Sequence, residues 1–319
     1  MAAPYDTTPA TRLDSFHVHR TSYKKIGDHE IEVAILVPKE LKSGKHPVMV
    51  KFHGGGLVTG DCLFTEWMGA FFVPFVHRTS SIVVLPNYRL LPEHTGANIL
   101  SDLSDFWNWF GSGSVGTFLS SAHPDLTLDL DVDHVLVSGD SAGGYMALMS
   151  ALTQPQEKFK AVLAQYPMTN YLRAEITDTF FGMPTPKADI IDQHISSVVP
   201  GSVISSAIPP ARAGLSWALA AYGRYLDYFG KDEKMWPIDK IEDVQAMPPT
   251  WIIHGGTDSA VDVKDSQEFV RKWTDREVRG EVKLSVLPGK EHGFDIDLKE
   301  SEEEWLREGL QWIEERWLK

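Results

Sequence analysis

Cysteine is all but missing from this chain, with Cys62 the single one in 319 residues. An intrachain disulfide framework and any multi-cysteine metal site are therefore excluded. Excess positive charge is missing as well: 30 Lys and Arg stand against 44 Asp and Glu, a formal net charge of −14, and no Lys/Arg-rich run offers a local exception. That balance speaks against an extended phosphate-binding surface, so no nucleic-acid partner is expected. No stretch reaches the roughly 18 uninterrupted apolar residues of a spanning helix. The start of the chain, MAAPYDTT, has neither the basic beginning nor the apolar centre of a secretory signal. No membrane span is expected, and a cytoplasmic protein is the default. His-Glu-x-x-His spacing is also absent, and the pairs His17/His19 and Glu291/His292 have no obvious further ligands in the sequence, so no metal is expected. There is no internal repeat or low-complexity segment.

What is present is enough apolar material, 43% of residues, to bury a full core. The chain reads as one domain over residues 1–319 with an insertion. Residues 31–38 (IEVAILVP) begin with alternating polarity and predict an early, half-exposed strand. Residues 47–52 (PVMVKF), 81–86 (SIVVLP) and 134–138 (HVLVS) are more continuously apolar, as strands covered on both faces of a parallel sheet are. Helical patterns at about 62–78 and 98–111 lie between them, so strand and helix alternate and an α/β fold is predicted. A further strand at 159–166 ends at Pro167. From about 168 to 236 the rhythm breaks, with prolines at 184, 186, 200, 209 and 210 and only short helical pieces. Together with about residues 1–30, this insertion is expected to form a cap. Regularity returns with a strand at 250–254, a helix at about 262–278 and a strand at 282–287. In the final helix Trp305, Leu306, Leu310, Ile313 and Trp317 recur at helical spacing.

Residues 138–144 read Ser-Gly-Asp-Ser-Ala-Gly-Gly between an apolar strand and an apolar helix. In a Gly-x-Ser-x-Gly elbow the serine sits on a strained strand-to-helix turn, and the glycines leave room for the backbone and a reacting carbonyl. Ser141 is the candidate nucleophile. A serine hydroxyl needs a base to take its proton, and the base needs a third group to orient it. Asp258 and His292 each follow a predicted strand, in the chain order Ser, Asp, His. On this reading His292 accepts the Ser141 proton and returns it to a leaving alcohol, while Asp258 holds the imidazole tautomer. Asp262, four residues on, is the rival acid. Donors for an oxyanion come from backbone N–H groups: His53-Gly54-Gly55-Gly56 stands directly after the strand ending at Phe52, and Ala142 follows the nucleophile.

These motifs, with Asn87-Tyr88-Arg89-Leu90-Leu91-Pro92-Glu93-His94 between them and His292-Gly293-Phe294 at the end, resemble the hormone-sensitive-lipase-like family of α/β-hydrolases. The resemblance spans roughly residues 30–317. It implies an α/β-hydrolase fold, with a mostly parallel central sheet flanked by helices and a helical cap over the active site. It implies a carboxylesterase acting on short or medium acyl chains, or on a small-metabolite ester, with no metal and no organic cofactor. Carried over residue by residue, it implies Ser141, Asp258 and His292 as nucleophile, acid and base, and Gly55, Gly56 and Ala142 as oxyanion donors, with Gly54 a further candidate. The segment Tyr88 to Glu93 matches a structural element of the family and stays outside the catalytic set. Two departures stand out. Ser259 takes the place after the acid where proline is common, and Leu57 a place where an aromatic residue is common.

Leu57, Trp67 and Asp140 are the candidates to border a substrate, and aromatic residues such as Phe64, Tyr171, Phe181, Trp217 and Tyr225 predict an apolar entrance. The expected partner is a small-molecule ester, and a homodimer stays open. Two other readings compete. Elimination, cyclisation or acyl transfer would use the same fold with His292 as base, and the small intracellular fungal members that the chain most resembles serve secondary metabolism in several cases. A catalytically silent receptor is the third reading, and retention of all three triad residues argues against it.

Overall fold

The computed structural model describes residues 6–171, 179–180, 183–232 and 234–319. One eight-stranded sheet runs through it, made of β1 (Phe16–Ile26), β2 (His29–Pro38), β3 (Gly44–Phe52), β4 (Ile82–Pro86), β5 (Leu128–Asp140), β6 (Ala161–Gln165), β7 (Thr250–Gly255) and β8 (Val282–Leu287). Their spatial order is β1-β2-β4-β3-β5-β6-β7-β8. β2 is antiparallel to both its neighbours, and all later pairs are parallel. The helices are α1 (Phe72–Thr79), α2 (Gly96–Gly111), α3 (Ser114–Ala122), α4 (Ala142–Thr153), α5 (Asp189–Ser197), α6 (Ala213–Ala221), α7 (Tyr225–Phe229), α8 (Pro237–Lys240), α9 (Val263–Asp275) and α10 (Glu304–Trp317).

The two-residue period of an extended chain divides the core between the two faces of the sheet. Along β2, Val33, Ile35 and Val37 join the core beneath α2, α3, α4 and α9, while Ala34 and Leu36 join the core beneath α1 and α10. β4, β6 and β7 are buried throughout, which is why their sequences read as continuous apolar runs. Helix α4 is buried over all but its last residue and is apolar all round for the same reason. On the opposite face, an added Cβ at Gly309 of α10 would come within 1.9 Å of the Trp251 ring, so the indole fills the place a side chain would need.

Three expectations need correcting. Phe16–Ile26 does not belong to a cap: it is the outermost strand, paired with β2 from Phe16 with Pro38 to Ile26 with His29, with a register shift between Ser22 and Lys24. Its polar sequence is that of an edge strand facing solvent. The helix expected over residues 62–78 shrinks to a 3₁₀ turn at Thr65–Trp67 and α1. Side chains hold the preceding backbone in a loop, with Asn87 Oδ1 accepting the Cys62 N–H at 2.8 Å and Asp61 Oδ1 accepting the Leu63 N–H at 2.8 Å. The strand expected at 134–138 begins earlier, at Leu128, and a register shift against β3 at Pro47/Val48 separates its exposed first half from its buried second half.

The chain between β6 and β7 carries α5, α6, α7 and α8. It joins the body near the oxyanion-loop candidates: Gly60 and Ala207 pair antiparallel, and the Leu90 N–H donates to the Ile204 carbonyl at 2.8 Å. Phe181 lies outside the described residues. Among the described residues, no helix is long and apolar enough to cross a membrane.

Candidate active site

β5 ends at Asp140 and α4 begins at Ala142, so Ser141 occupies the turn between them, with φ +56° and ψ −115°. A serine rarely adopts that backbone. Hydrogen bonds on both sides hold it there: its N–H donates to the Gln165 carbonyl at 2.9 Å, and its carbonyl accepts from the N–H groups of Tyr145 at 3.0 Å and Met168 at 3.3 Å. Gly143 meets a different need, since an added Cβ would lie 2.1 Å from the Phe52 carbonyl oxygen and push α4 away from β3.

Asp258 sits on the loop after β7 and His292 on the loop after β8, so both loops rise from carboxyl ends of parallel strands, as the Ser141 turn does. His292 Nδ1 is 2.7 Å from Asp258 Oδ2. The other carboxylate oxygen accepts the N–H groups of Ala260 at 2.9 Å and Val261 at 2.8 Å. Burial by itself raises the Asp258 pKa; hydrogen bonds from His254 and His292 outweigh it and hold this carboxyl well below the usual carboxylate range. An ionised Asp258 takes the Nδ1 proton of His292 as its hydrogen bond, which leaves Nε2 as the basic nitrogen. The rival acid, Asp262, instead caps α9 by accepting the Lys264 N–H at 3.0 Å.

Ser141 and His292 line one cavity of about 330 Å³, and Gly55 and Gly56 line it with them. The two glycines have φ +105° and +63°. The Gly55 carbonyl accepts the N–H groups of Val58 and Thr59, each at 3.1 Å, and the Ser216 hydroxyl at 3.4 Å. In a trans peptide the N–H points opposite to the carbonyl, so these bonds turn the Gly56 N–H away from the Thr59 side. Among the described residues, no hydrogen bond occupies the N–H of Gly55, Gly56 or Ala142, the last of these being the first residue of α4. The arrangement can take a proton from a serine hydroxyl and offer free backbone donors beside it.

Trp67 and Asp140 line the cavity, and Leu57 does not. The expectation for Leu57 is corrected: at φ +59° it follows the two glycines through the turn, and its side chain is wholly buried in the core. Gly54 lies behind the cavity wall, against Asp140. Met168, Tyr171, Val261 and Ile296 supply apolar wall, and α6 adds Ala213, Ser216 and Trp217. Among the described residues, the lining holds no lysine or arginine and a single carboxylate, Asp140.

The sequence signature of the alpha/beta hydrolase fold matches residues 49–296. The chain belongs to the α/β-hydrolase family. Within that family the hydrolase falls in the branch that includes the hormone-sensitive-lipase-like esterases. It is 30% identical over 322 residues to the probable carboxylesterase M8 of Phoma sp., across 96% of this chain and 98% of that one. Its likeness to the probable carboxylesterase clz11 of Cochliobolus lunatus is 32% over 195 residues, 57% of this chain and 87% of that one. Its fold is similar to that of esterase B from Lactobacillus rhamnosis, with a TM-score of 0.58 at 19% identity over 95% of this chain and 87% of that chain. It is a hydrolase of the carboxylesterase type.

Three residues of this hydrolase's site escaped the sequence reading. His254, at the end of β7, is fully buried, places Nε2 3.3 Å from Asp258 Oδ2 and is itself held by Ser266 Oγ at 2.8 Å from Nδ1. Glu291 accepts two N–H groups on one carboxylate oxygen, from His292 at 2.8 Å and from Ser259 at 2.6 Å, and so ties the acid loop to the base loop. The departure at 259 thereby gains a physical reason, because a proline there has no N–H to donate. Tyr166 packs its ring 4.3 Å from that of His292 and donates its hydroxyl to Asp295 Oδ1 at 2.6 Å. No spacing rule pointed to Tyr166. The four-residue interval from His254 to Asp258 was the one available sign of the first.

Proposed function

We propose that the hydrolase cleaves small carboxylic esters without a negative charge through an acyl-enzyme on Ser141. The observation that carries this reading is the 2.7 Å contact of His292 Nδ1 with Asp258, on an imidazole that borders the same cavity as Ser141 and the free amides of Gly55 and Gly56. His292 Nε2 takes the hydroxyl proton as Ser141 Oγ adds to the ester carbonyl. The resulting oxyanion is received by the N–H groups of Gly55, Gly56 and Ala142, which no other acceptor occupies among the described residues. Collapse breaks the bond to the alkoxide, which leaves with the proton from His292. Water then repeats the sequence on the acyl-enzyme, with His292 as base, and releases the acid.

The substrate class follows from the cavity. A volume of about 330 Å³ is near the lower end for ligand sites, which favours a short or medium acyl group. An apolar wall with no lysine or arginine among the described residues gives an anionic acyl group no partner. Fluorophosphonate labelling tests the nucleophile: the native protein is expected to label and Ser141→Ala to remain unlabelled, and equal labelling of both would overturn the assignment. A chain-length series of nitrophenyl esters tests the substrate class, with turnover expected to be greatest for short to medium chains.

A further inference from the structure

Lys51 lies near the end of β3, two residues before the glycine-rich loop begins at His53, and its side chain is only 7% exposed. It donates to Asp140 Oδ1, and the Asp140 side chain is 6% exposed. Asp140 directly precedes the nucleophile and borders the cavity. Its second oxygen packs against the loop itself: an added Cβ on Gly54 would stand 2.6 Å from Asp140 Oδ2. A carboxylate thus sits against the segment whose N–H groups are to receive a negative charge. The small space behind the loop is lined by Asp61 as well as Asp140, and among the described residues Lys51 is the one lysine or arginine lining it. His53, also lining it, is kept neutral by burial, which lowers its pKa. Asp295, fully buried beyond Tyr166, has its pKa raised by burial, with the nearby Asp140 adding to the effect.

We propose that Lys51 is a positioning residue for catalysis, cancelling the charge of Asp140 so that an oxyanion can form beside it. This rests on the acyl-enzyme reading above. A tetrahedral intermediate places a full negative charge where the substrate carbonyl had only a partial one. A bare Asp140 carboxylate would repel that charge from a buried position, and would do so far less in the ground state. Unit charges about 6–12 Å apart at an effective dielectric of about 20 correspond to a rate effect on the order of tenfold to a hundredfold. The loss should therefore appear in kcat and in the binding of oxyanion mimics, and not in KM.

The test compares the native protein, Lys51→Met and the double variant Lys51→Met/Asp140→Asn. Active sites are first counted by fluorophosphonate labelling of Ser141. Kinetics on a nitrophenyl ester and inhibition by a trifluoromethyl ketone, which forms an oxyanion adduct with a serine, are then measured. Lys51→Met is expected to lose at least about tenfold in kcat and in trifluoromethyl ketone affinity, with KM within about twofold. Adding Asp140→Asn should recover most of that loss, which a merely structural lysine would not allow. If Lys51→Met does not fold, the neutral pair in the double variant decides, because it should fold and keep kcat within about tenfold of native. Native-like kinetics in a folded Lys51→Met overturns the proposal, and so does a folded double variant with a larger loss. Failure of Ser141 to label in the native protein would instead overturn the acyl-enzyme reading on which it rests.

Discussion

The hydroxyl of Tyr225 donates a 2.9 Å hydrogen bond to the carbonyl oxygen of Gly56, so helix α7 of the insertion holds one peptide of the candidate oxyanion loop. Ser216 of α6 reaches the preceding carbonyl, that of Gly55, at 3.4 Å. The insertion therefore does more than cover the cavity, because two of its hydroxyls set the tilt of the peptides beneath it. Tyr225→Phe removes one bond while keeping the ring stacked on Phe229 at 5.7 Å. A neutral hydrogen bond contributes about 1 kcal/mol net, so kcat should fall roughly fivefold with KM little changed. Steady-state kinetics on a short nitrophenyl ester decide it; an unchanged kcat would show that the loop keeps its tilt without the tyrosine.

Gly55 is more demanding. Its φ of +105° is one that L side chains rarely adopt, and an added Cβ would stand 2.0 Å from the Thr59 carbonyl oxygen. Gly55→Ala must therefore rotate the peptides around residue 55 out of place. Loss of one oxyanion donor typically lowers kcat by about 10² to 10³, and this variant is expected to fall at least that far. Fluorophosphonate labelling should slow in parallel, while Ser141 remains present to react.

Asp258 ties stability to pH. Its folded pKa lies below the ordinary carboxylate value, so the ionised form is favoured by folding. The resulting stability is complete above the unfolded pKa, about 4, and is lost as pH falls towards the folded value. The urea midpoint of the native protein should drop between about pH 4 and more acid conditions, and Asp258→Asn should remove part of that dependence. The same variant should lose about 10⁴ in kcat at neutral pH, because asparagine can favour the wrong imidazole tautomer. A kcat within tenfold of native would point to another residue as orienter of His292.

How far the sequence carries depends on the range of the interaction that decides each feature. The Ser141 turn, α4 and the inner strands follow from local pattern: a short motif between a β run and a helical run, and apolar runs too continuous for one exposed face. The order of Asp258 and His292 was legible because each closes a strand. β1 escaped because an edge strand with the sequence FHVHRTSYKKI carries little apolar signal, and its place is fixed by pairing with β2. Leu57 was misjudged because a left-handed residue after two glycines turns its side chain to a side that composition does not specify. Glu291 and His254 act through contacts with Ser259 and Asp258, and the first of these crosses 32 positions of chain. The Glu291–Ser259 contact forms only when β7 and β8 lie side by side.

Packing away from the site gives an independent check on the fold. Gly309 of α10 faces Trp251 of β7 with no room for a methyl group, its Cβ position falling 1.9 Å from the indole. Trp251 is fully buried and its Nε1–H donates to Ser285 Oγ at 3.0 Å, so the ring is held and cannot swing away. Overpacking of this kind costs about 1–3 kcal/mol and at times more. Gly309→Ala should lower stability by about 3 kcal/mol in urea unfolding, the upper part of that range. A loss below about 0.5 kcal/mol, the level of an ordinary surface change, would mean that α10 does not pack on Trp251 as described.

Trp217 offers the sharpest test of what limits the acyl group. It belongs to α6, lines the cavity and faces it from the insertion side, whereas Trp67 lines it from the loop after β3. If Trp217 bounds the acyl site, replacing it with alanine opens room that a longer chain can fill. Each methylene that gains a buried place is worth about 0.8 kcal/mol, close to fourfold in kcat/KM. For Trp217→Ala the preferred nitrophenyl ester should therefore shift to a longer chain by about two to four carbons, on the scale of the side chain removed. Short esters should lose ground, because their acyl groups then leave part of the enlarged cavity unfilled. A uniform fall across all chain lengths would instead assign Trp217 to packing of the insertion, since a damaged cap would weaken every substrate alike.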